Sequence, residues 1–175
     1  MKNIKKLLFF AGLFLFLTTT SCYKEIEPII LTGKWDLDTS EVIFLPVLKL
    51  FDPNTTPEYL TVRNFLEKNN NNIRKELMKP ESIVFKLPNI VEFYYKGAPL
   101  PIIGTYVQDG AFFTIKNTFF PNGLTGASDN LGLNLFYDRE FLFKILYRYI
   151  TESDGAPEVY NFLIETVHGV GTYKR

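Results

Sequence analysis

The chain has few of the residue types from which many catalytic and metal sites are built. Its 175 residues include one histidine, His168, one cysteine, Cys22, and one tryptophan, Trp35. A lone histidine excludes a zinc site with several histidine ligands, and a lone cysteine excludes an internal disulfide or a Cys-x-x-Cys motif. We therefore expect no metal, and we expect packing alone to stabilise the fold.

An excess of charge is also missing, since 19 basic residues balance 19 acidic ones. Nucleic-acid-binding domains carry clustered positive charge, so no nucleic-acid partner is expected. The sequence contains neither a glycine-rich phosphate loop nor a Gly-x-Ser-x-Gly nucleophile motif. These absences predict a protein that is not an enzyme and that needs no cofactor.

The remaining candidates for acid–base chemistry are His168, Asp36 and Asp38. The two aspartates are two residues apart, so they share one face of a predicted strand, as paired carboxylates can. That face is opposite Trp35 and is expected to point to solvent, and His168 lies before Gly169 at the predicted end of a helix. We predict that all three side chains lie in solvent, titrate ordinarily and form no functional site.

The N-terminal region combines a basic start with an apolar run. Lys2, Lys5 and Lys6 precede eleven apolar or small residues, Leu7 to Leu17. As a helix this run would cover about 17 Å, well short of the roughly 30 Å hydrocarbon core of a bilayer. The pattern predicts a cleavable signal peptide over residues 1–21 rather than a membrane-spanning helix.

The residues Thr20-Ser21-Cys22 resemble the lipobox of bacterial lipoproteins, with Thr19 at the position that is usually leucine. The resemblance implies that the sulfur of Cys22 carries a diacylglycerol, that the chain is cut before Cys22, and that the new amino group is acylated. It predicts a lipoprotein of the cell envelope, held by this anchor in the outer membrane.

Residues 22–30 are then a lipidated N-terminus with a short linker. Glu25 and Glu27 partly resemble the acidic tags that carry some lipoproteins to the cell surface. A plain solvated linker explains them equally well, so the side of the membrane stays open.

Residues 31–175 form the predicted single domain. Removal of the signal peptide leaves 154 residues with a formal charge of about −3, a size that supports one core. The 17 phenylalanines and 10 tyrosines favour a sheet-rich fold with a large apolar interior. Trp35 and Leu37 alternate with charged residues as in a half-buried strand, and Asp109-Gly110 predicts a two-residue type I′ hairpin turn. Further strands are predicted over residues 82–87, 90–95, 102–108, 111–116 and 131–137, and a loop over 121–130.

Three segments have helical rather than strand patterns. A helical insertion is predicted near 58–78, in two pieces or with a distorted join, because Asn69 to Asn72 are poor helix formers. Asp138 is a suitable N-cap for a helix near 139–151, and a further helix is predicted near 157–167. The fold class is therefore mostly β with added helices.

Two short motifs resemble those of a known family. Gly33-Lys34-Trp35 is similar to the Gly-x-Trp motif that begins the first strand of lipocalins and lipocalin-like domains. Gly104-Thr105-Tyr106 with its turn resembles a recurring unit of bacterial lipocalin-like lipoproteins. The resemblance implies an antiparallel sheet or small barrel, with Gly33 and Trp35 at its structural start. The C-terminal helices leave open whether the sheet closes.

Aromatic residues between positions 94 and 120 give the main indication of function. The candidates for lining a ligand site are Tyr94, Tyr95, Tyr106, Phe112 and Phe113, with Phe119 and Phe120 nearby. They predict either a binding module for a small apolar ligand or envelope component, or a structural or protein-interaction lipoprotein whose aromatic residues fill the core. An open, aromatic-lined cavity would favour the first function and a packed interior the second. The sequence does not indicate whether the protein is a monomer or an oligomer.

Overall fold

The computed structural model of the chain describes residues 29–50, 57–153 and 155–175. The predicted signal peptide, Cys22 and the linker as far as residue 28 lie outside the described residues. Leu31 is the first buried residue, and the first strand begins at Gly33. The described linker residues, Ile29 and Ile30, are hydrogen-bonded to the barrel.

Nine strands and three helices make up the described residues. The strands are β1 (Gly33–Leu37), β2 (Ile43–Leu48), β3 (Pro80–Lys86), β4 (Ile90–Tyr95), β5 (Ile102–Asp109), β6 (Phe112–Lys116), β7 (Leu124–Ser128), β8 (Gly132–Tyr137) and β9 (Ile164–Lys174). The helices are α1 (Pro57–Leu77), α2 (Arg139–Glu152) and α3 (Pro157–Leu163), and a short 3-10 turn spans Thr39–Glu41.

Eight of the strands form a closed antiparallel barrel. Their order is β1, β3, β4, β5, β6, β7, β8 and β9, and β9 returns to β1 through the pairs Asp36 with Lys174 and Leu37 with Tyr173. The extra strand β2 pairs with the first half of β9, from Ile43 opposite Val170 to Leu48 opposite Ile164. The predicted fold class is confirmed, and the closure that the sequence left open is settled by β9.

The predicted C-terminal helix, 157–167, is wrong in its second half. Helix α3 ends at Leu163, and Ile164 begins an eleven-residue strand, so His168 lies on β9 and not at a helix end. Two features explain the strand: glycines at 169 and 171 weaken a helix, and β-branched residues at 166, 167, 170 and 172 favour extended backbone.

Helix α1 is continuous through the four asparagines, which corrects the predicted break. The apolar residues Leu66, Ile73 and Leu77 are buried on both sides of the asparagine run. Asn70 also donates to the backbone oxygen of Phe44 at 3.2 Å. Burial of a common apolar face therefore outweighs the weak helix propensity of asparagine.

The β5–β6 hairpin turns one residue later than predicted. Asp109 is still paired with Phe112, so the two turn residues are Gly110 and Ala111. Gly110 has φ of 58°, whereas Ala111 is not among the described non-glycine residues with positive φ. This is the pattern of a type II′ turn, with glycine at the first central position, and not of the predicted type I′.

Side chains fill the interior of the barrel. Phe85 packs edge-on against Tyr106 and Phe113, with ring centroids 5.0 Å and 5.5 Å apart. A Cβ added at Gly126 would lie 2.2 Å from the ring of Phe113, so this glycine makes room for the aromatic ring. The fully buried side chains include Trp35, Ile83, Phe93, Ile115, Leu133, Leu135 and Tyr173.

The two ends of the barrel are closed in different ways. At one end, here called the sealed end, the backbone of residues 29–32 lies beside Gln108, Asn130 and Arg175, which hydrogen-bond to it. The opposite end, here called the helix end, is where β3 begins and β4, β6 and β8 finish, and where α1 and α2 pack. A Cβ at Gly169 would lie 2.6 Å from Leu142 of α2 and 3.3 Å from Leu77 of α1.

Candidate functional site

A cleft opens at the helix end, between the barrel and helix α2. Its volume is about 270 Å³, slightly below the usual range for small-molecule sites. It is lined by Glu76, Lys79, Pro80, Tyr95, Phe119, Phe120, Tyr137, Phe141, Ile145 and Arg148. Most of this lining is apolar, with the charged groups confined to three residues.

Aromatic rings form a continuous wall of the cleft. Tyr137 and Phe141 stack with their centroids 5.3 Å apart, and Phe120 lies 5.0 Å from Phe141. Tyr95 and Phe119 form a second pair, 6.1 Å apart. A cleft lined by such rings can bind a flat or apolar group by burial and ring contacts.

The loop between β6 and β7 places two of these rings. The side-chain oxygen of Asn117 accepts hydrogen bonds from the backbone N–H groups of Phe119 and Phe120, both at 2.9 Å. Gly123, with φ of 104°, donates its N–H to the oxygen of Phe120 at 3.1 Å. This turn buries Phe120 and leaves Phe119 exposed on the outer side of the cleft.

The polar side of the cleft is an ion-paired group. Glu76 accepts from Lys79 and from the guanidinium of Arg148, the latter at 3.1 Å. Desolvation opposes ionisation of Glu76, but hydrogen bonds from Lys79 and Arg148 outweigh it, so its pKa lies below the ordinary value. Arg148 also lies 4.0 Å from the carboxylate of Glu152, which is outside the lining, so the two cations of the cleft face two carboxylates.

The tyrosines of the cleft stay neutral at physiological pH. Burial raises the pKa of Tyr95 to about 12 and that of Tyr137 still further. The hydroxyl of Tyr137 donates to the backbone oxygen of Leu77 at 3.3 Å. A general acid or base needs a pKa near the working pH, and these two phenols lack one.

The predicted ligand-lining residues separate into three places. Tyr95 lines the cleft, whereas Tyr106 and Phe113 are buried inside the barrel. Phe112 and Tyr94 lie on the outer surface, and Tyr94 donates its hydroxyl proton to Glu92 at 2.7 Å.

The sequence did not identify the residues that α1, β8 and α2 contribute to the cleft. These are Glu76, Tyr137, Phe141, Ile145 and Arg148, which the chain brings together across about seventy positions. The one local signal in the sequence is the wide apolar face of α2, which includes Phe141 and Ile145 beside Leu142 and Leu146. In the structure the two leucines are fully buried, whereas Phe141 and Ile145 are only partly buried.

The three candidates for acid–base chemistry are not brought together. His168 is exposed opposite Leu45 on β2, and Asp36 is exposed and paired with Lys34 at 2.7 Å. The expectation of ordinary titration is wrong for Asp38, whose pKa is lowered. Hydrogen bonds from Lys174 and Ser40 lower its pKa to about 2. It caps the 3-10 turn at the closing seam of the barrel, which is a structural position.

Two further features are absent from the described residues. No group of three or more His, Cys, Asp or Glu side chains there could hold a metal ion. No helix within the described ranges is both long and apolar enough to cross a membrane.

The described residues define a class of fold, a closed eight-stranded antiparallel barrel with one extra strand and three helices. This architecture is compatible with a lipocalin-like fold. Comparison with known proteins finds no protein-family model that matches the chain, and no significant match among curated proteins or solved structures. A function for this chain must therefore be inferred from its own residues.

Gly33 and Trp35 lie in the first strand of the barrel. Gly33 begins β1 with φ of 128°, a conformation that favours glycine. Trp35 is fully buried, and its indole N–H donates to the backbone oxygen of Leu31 at 2.8 Å. The guanidinium of Arg175 lies 4.3 Å from the centre of the indole ring and donates to the backbone oxygens of Ile30 and Thr32.

Proposed function

We propose that this protein is a lipoprotein of the outer membrane, anchored through Cys22, whose barrel domain binds a small apolar ligand in the cleft without catalysing a reaction. The observation that carries the proposal is the aromatic lining of the cleft at the helix end. An apolar envelope component that inserts one ring or chain would be bound in the same way.

The charges beside the cleft restrict the ligand further. Of the charged groups that line the cleft, two are cations and one is a carboxylate, while Glu152 lies against Arg148 outside the lining, so a ligand with an acidic end group meets more donors than a ligand with a basic group meets acceptors. The neutral phenols of Tyr95 and Tyr137 add hydrogen-bonding atoms without charge. The ligand class is therefore a mainly apolar molecule, neutral or with one acidic group.

A probe-binding experiment tests the cleft. Ile145→Trp places a larger side chain in the cleft, and we expect it to weaken binding of the neutral dye N-phenyl-1-naphthylamine by about tenfold or more. The control is Ile103→Trp, which makes the same change on the outer wall of the barrel, where Ile103 is exposed. Equal dye affinity in the two variants and the natural protein would refute the cleft as the binding site. Mass spectrometry of the membrane-purified protein would identify a natural ligand that co-purifies.

A separate experiment tests the anchor. Cys22→Ala removes the sulfur that would carry the diacylglycerol, so the variant should carry no acyl mass, whether or not its signal peptide is removed. The natural chain should enter the detergent phase with a mass increased by its acyl chains. A Cys22→Ala variant that still carries the acyl mass would contradict the anchor and leave the cleft untouched.

The second candidate function is a structural or protein-interaction lipoprotein. The observation that favours it is the packing inside the barrel, where the buried rings of Tyr106 and Phe113 lie against Phe85. A natural protein that binds neither the dye nor any co-purifying small molecule would support this function over the first.

A further inference from the structure

Large apolar side chains project into solvent at the sealed end of the barrel. The exposed fractions are 57% for Ile30, 74% for Leu87, 66% for Phe112 and 82% for Leu131. We call these four residues the apolar tips. Isolated exposed apolar residues are common on proteins, but a group at one end of a fold indicates a contact surface.

The strand register places the four apolar tips at the same end. Ile30 donates its backbone N–H to the side chain of Asn130, the residue before Leu131. Phe112 begins β6 directly after the β5–β6 turn. The side-chain amide of Gln108 donates to the backbone oxygens of both Gly110 in this turn and Ile29, which places the turn beside the entering chain. Leu87 lies in the β3–β4 turn, in which the backbone oxygen of Asn89 accepts from Tyr106 on β5.

The chain enters the barrel at this same end. Only six residues separate Cys22 from Ile29, and even a fully extended chain over these seven steps spans at most about 25 Å. A lipid on Cys22 would therefore hold the sealed end, and not the helix end, next to the bilayer. Because the short linker keeps the apolar tips close to the bilayer, we take a lipid surface as the partner that they contact.

The charges of the sealed end do not compete with this contact. The side chain of Asp129 accepts from the backbone N–H groups of Leu131 and Gly132, and Arg175 is held over the ring of Trp35. Asp109 adds a carboxylate at the β5–β6 turn, and the one cation directly before an apolar tip, Lys86, is paired with Glu92 at 2.6 Å. The contact would therefore depend on apolar side chains and not on attraction to anionic lipids.

We propose that the apolar tips insert into the interfacial layer of the bilayer that holds the lipid anchor, so that the barrel stands on its sealed end and the cleft faces the aqueous side. This inference rests on the proposed anchor at Cys22. It gives the bound ligand a route from water rather than from the bilayer interior.

Site-directed labelling tests the orientation on the full, lipidated chain. Lipidation of Cys22 leaves no free thiol, so a nitroxide on one introduced cysteine reports on one position. The test positions are L87C, F112C and L131C. The control is L100C, which changes an equally exposed leucine (77%) in the loop between β4 and β5 at the helix end. Each protein is reconstituted into neutral phosphatidylcholine vesicles.

The measurement compares collisions of the nitroxide with oxygen, which concentrates in lipid, and with a nickel chelate, which stays in water. Labels at 87, 112 and 131 should collide mainly with oxygen, and the label at 100 mainly with nickel. Nickel-dominated collisions at all four positions, in protein that floats with the vesicles, would overturn the proposal and leave the anchor intact. Spin–spin broadening at 131 would overturn it in favour of a second copy of the chain. Failure of the natural protein to float, with Cys22 free to react, would overturn both proposals.

Discussion

The sealed end and the helix end of the barrel differ in how their aromatic rings are covered. At the sealed end, the indole of Trp35 is fully buried beneath Leu31 and the side chain of Arg175, and the exposed apolar residues are the four apolar tips at the rim. At the helix end, the cleft takes residues from α1, β3, β4, the β6–β7 loop, β8 and α2, and some of its rings are only partly covered. We infer that the buried indole of the sealed end stabilises the fold and that the open rings of the helix end bind a ligand.

The largest expected effect is at Trp35. Trp35→Ala removes a fully buried indole, its hydrogen bond to Leu31 and its contact with Arg175. The free energy of unfolding should fall by about 3 to 5 kcal/mol, measured by urea denaturation followed by circular dichroism. A loss below about 1 kcal/mol would show that the sealed end does not provide the stability we assign to it.

Tryptophan fluorescence gives an independent measure on the natural protein. Trp35 is the only tryptophan, so its emission reports on the sealed end alone. We expect emission shifted to the blue of that of indole in water, because the ring has no exposed surface.

A smaller effect is expected at Phe141 on the helix end. Its ring contacts Tyr137 and Phe120 but is only partly buried, so Phe141→Ala should lower the free energy of unfolding by about 1 to 2 kcal/mol. The same variant should weaken dye binding, whereas Phe112→Ala, on the outer surface, should not. A stability loss as large as that of Trp35→Ala, with dye affinity unchanged, would show that Phe141 serves as a core residue. It would contradict the assignment of stability to the sealed end and binding to the helix end.

The sequence predicted the strands in which apolar and polar residues clearly alternate or which end in clear turns. It did not predict strands whose formation depends on packing against other parts of the chain. The strand 90–95 has the predicted bounds, and the helix predicted near 139–151 ends one residue later, at Glu152. Strand β7 was predicted as part of a loop because residues 121–130 are rich in turn formers, yet one of these, Gly126, lies in the strand and its lack of a side chain accommodates the ring of Phe113. Strand β2 carries Pro46, which argues against a strand, but it pairs on one side only, with β9.

The cleft was less predictable than the fold for a related reason. Aromatic content indicated an apolar site, and Tyr95 was among its candidates. Whether an aromatic side chain lies inside the barrel, on its outer surface or in the cleft depends on strand register. A one-residue change in register moves every side chain of the strand to the other face. Phe112 and Phe113 are adjacent in sequence and lie on opposite faces of the barrel wall. The positions of Phe141 and Arg148 further depend on how α2 packs against the closed barrel.

The smallest expected effect is a pH dependence that distinguishes the barrel seam from the cleft. Lys174 donates to Asp38 at 2.6 Å, and this bond, with those from Ser40, lowers the pKa of Asp38 from 3.8 to about 2. A carboxyl group whose pKa is lower in the folded state stabilises the fold above its unfolded pKa. That stabilisation is complete above about pH 4 and is lost as the pH falls toward about 2. The destabilisation caused by Lys174→Met should therefore shrink over this interval.

The matched measurement at the helix end is Arg148→Met, which removes one of the two cations bound to Glu76. Glu76 also has a lowered pKa, but desolvation of its carboxylate opposes the hydrogen bonds from Lys79 and Arg148, so the net shift is the difference of two larger effects. Its stabilisation is likewise present above the unfolded pKa and lost as the pH falls through the lowered folded value, and Lys79 keeps part of it in the variant. We expect the destabilisation by Arg148→Met to be smaller and to change less with pH than that by Lys174→Met, measured by urea denaturation across the same interval. A steeper pH dependence for Arg148→Met would reverse this ranking, and would mean that the charges of the cleft contribute more to folding than those that close the barrel.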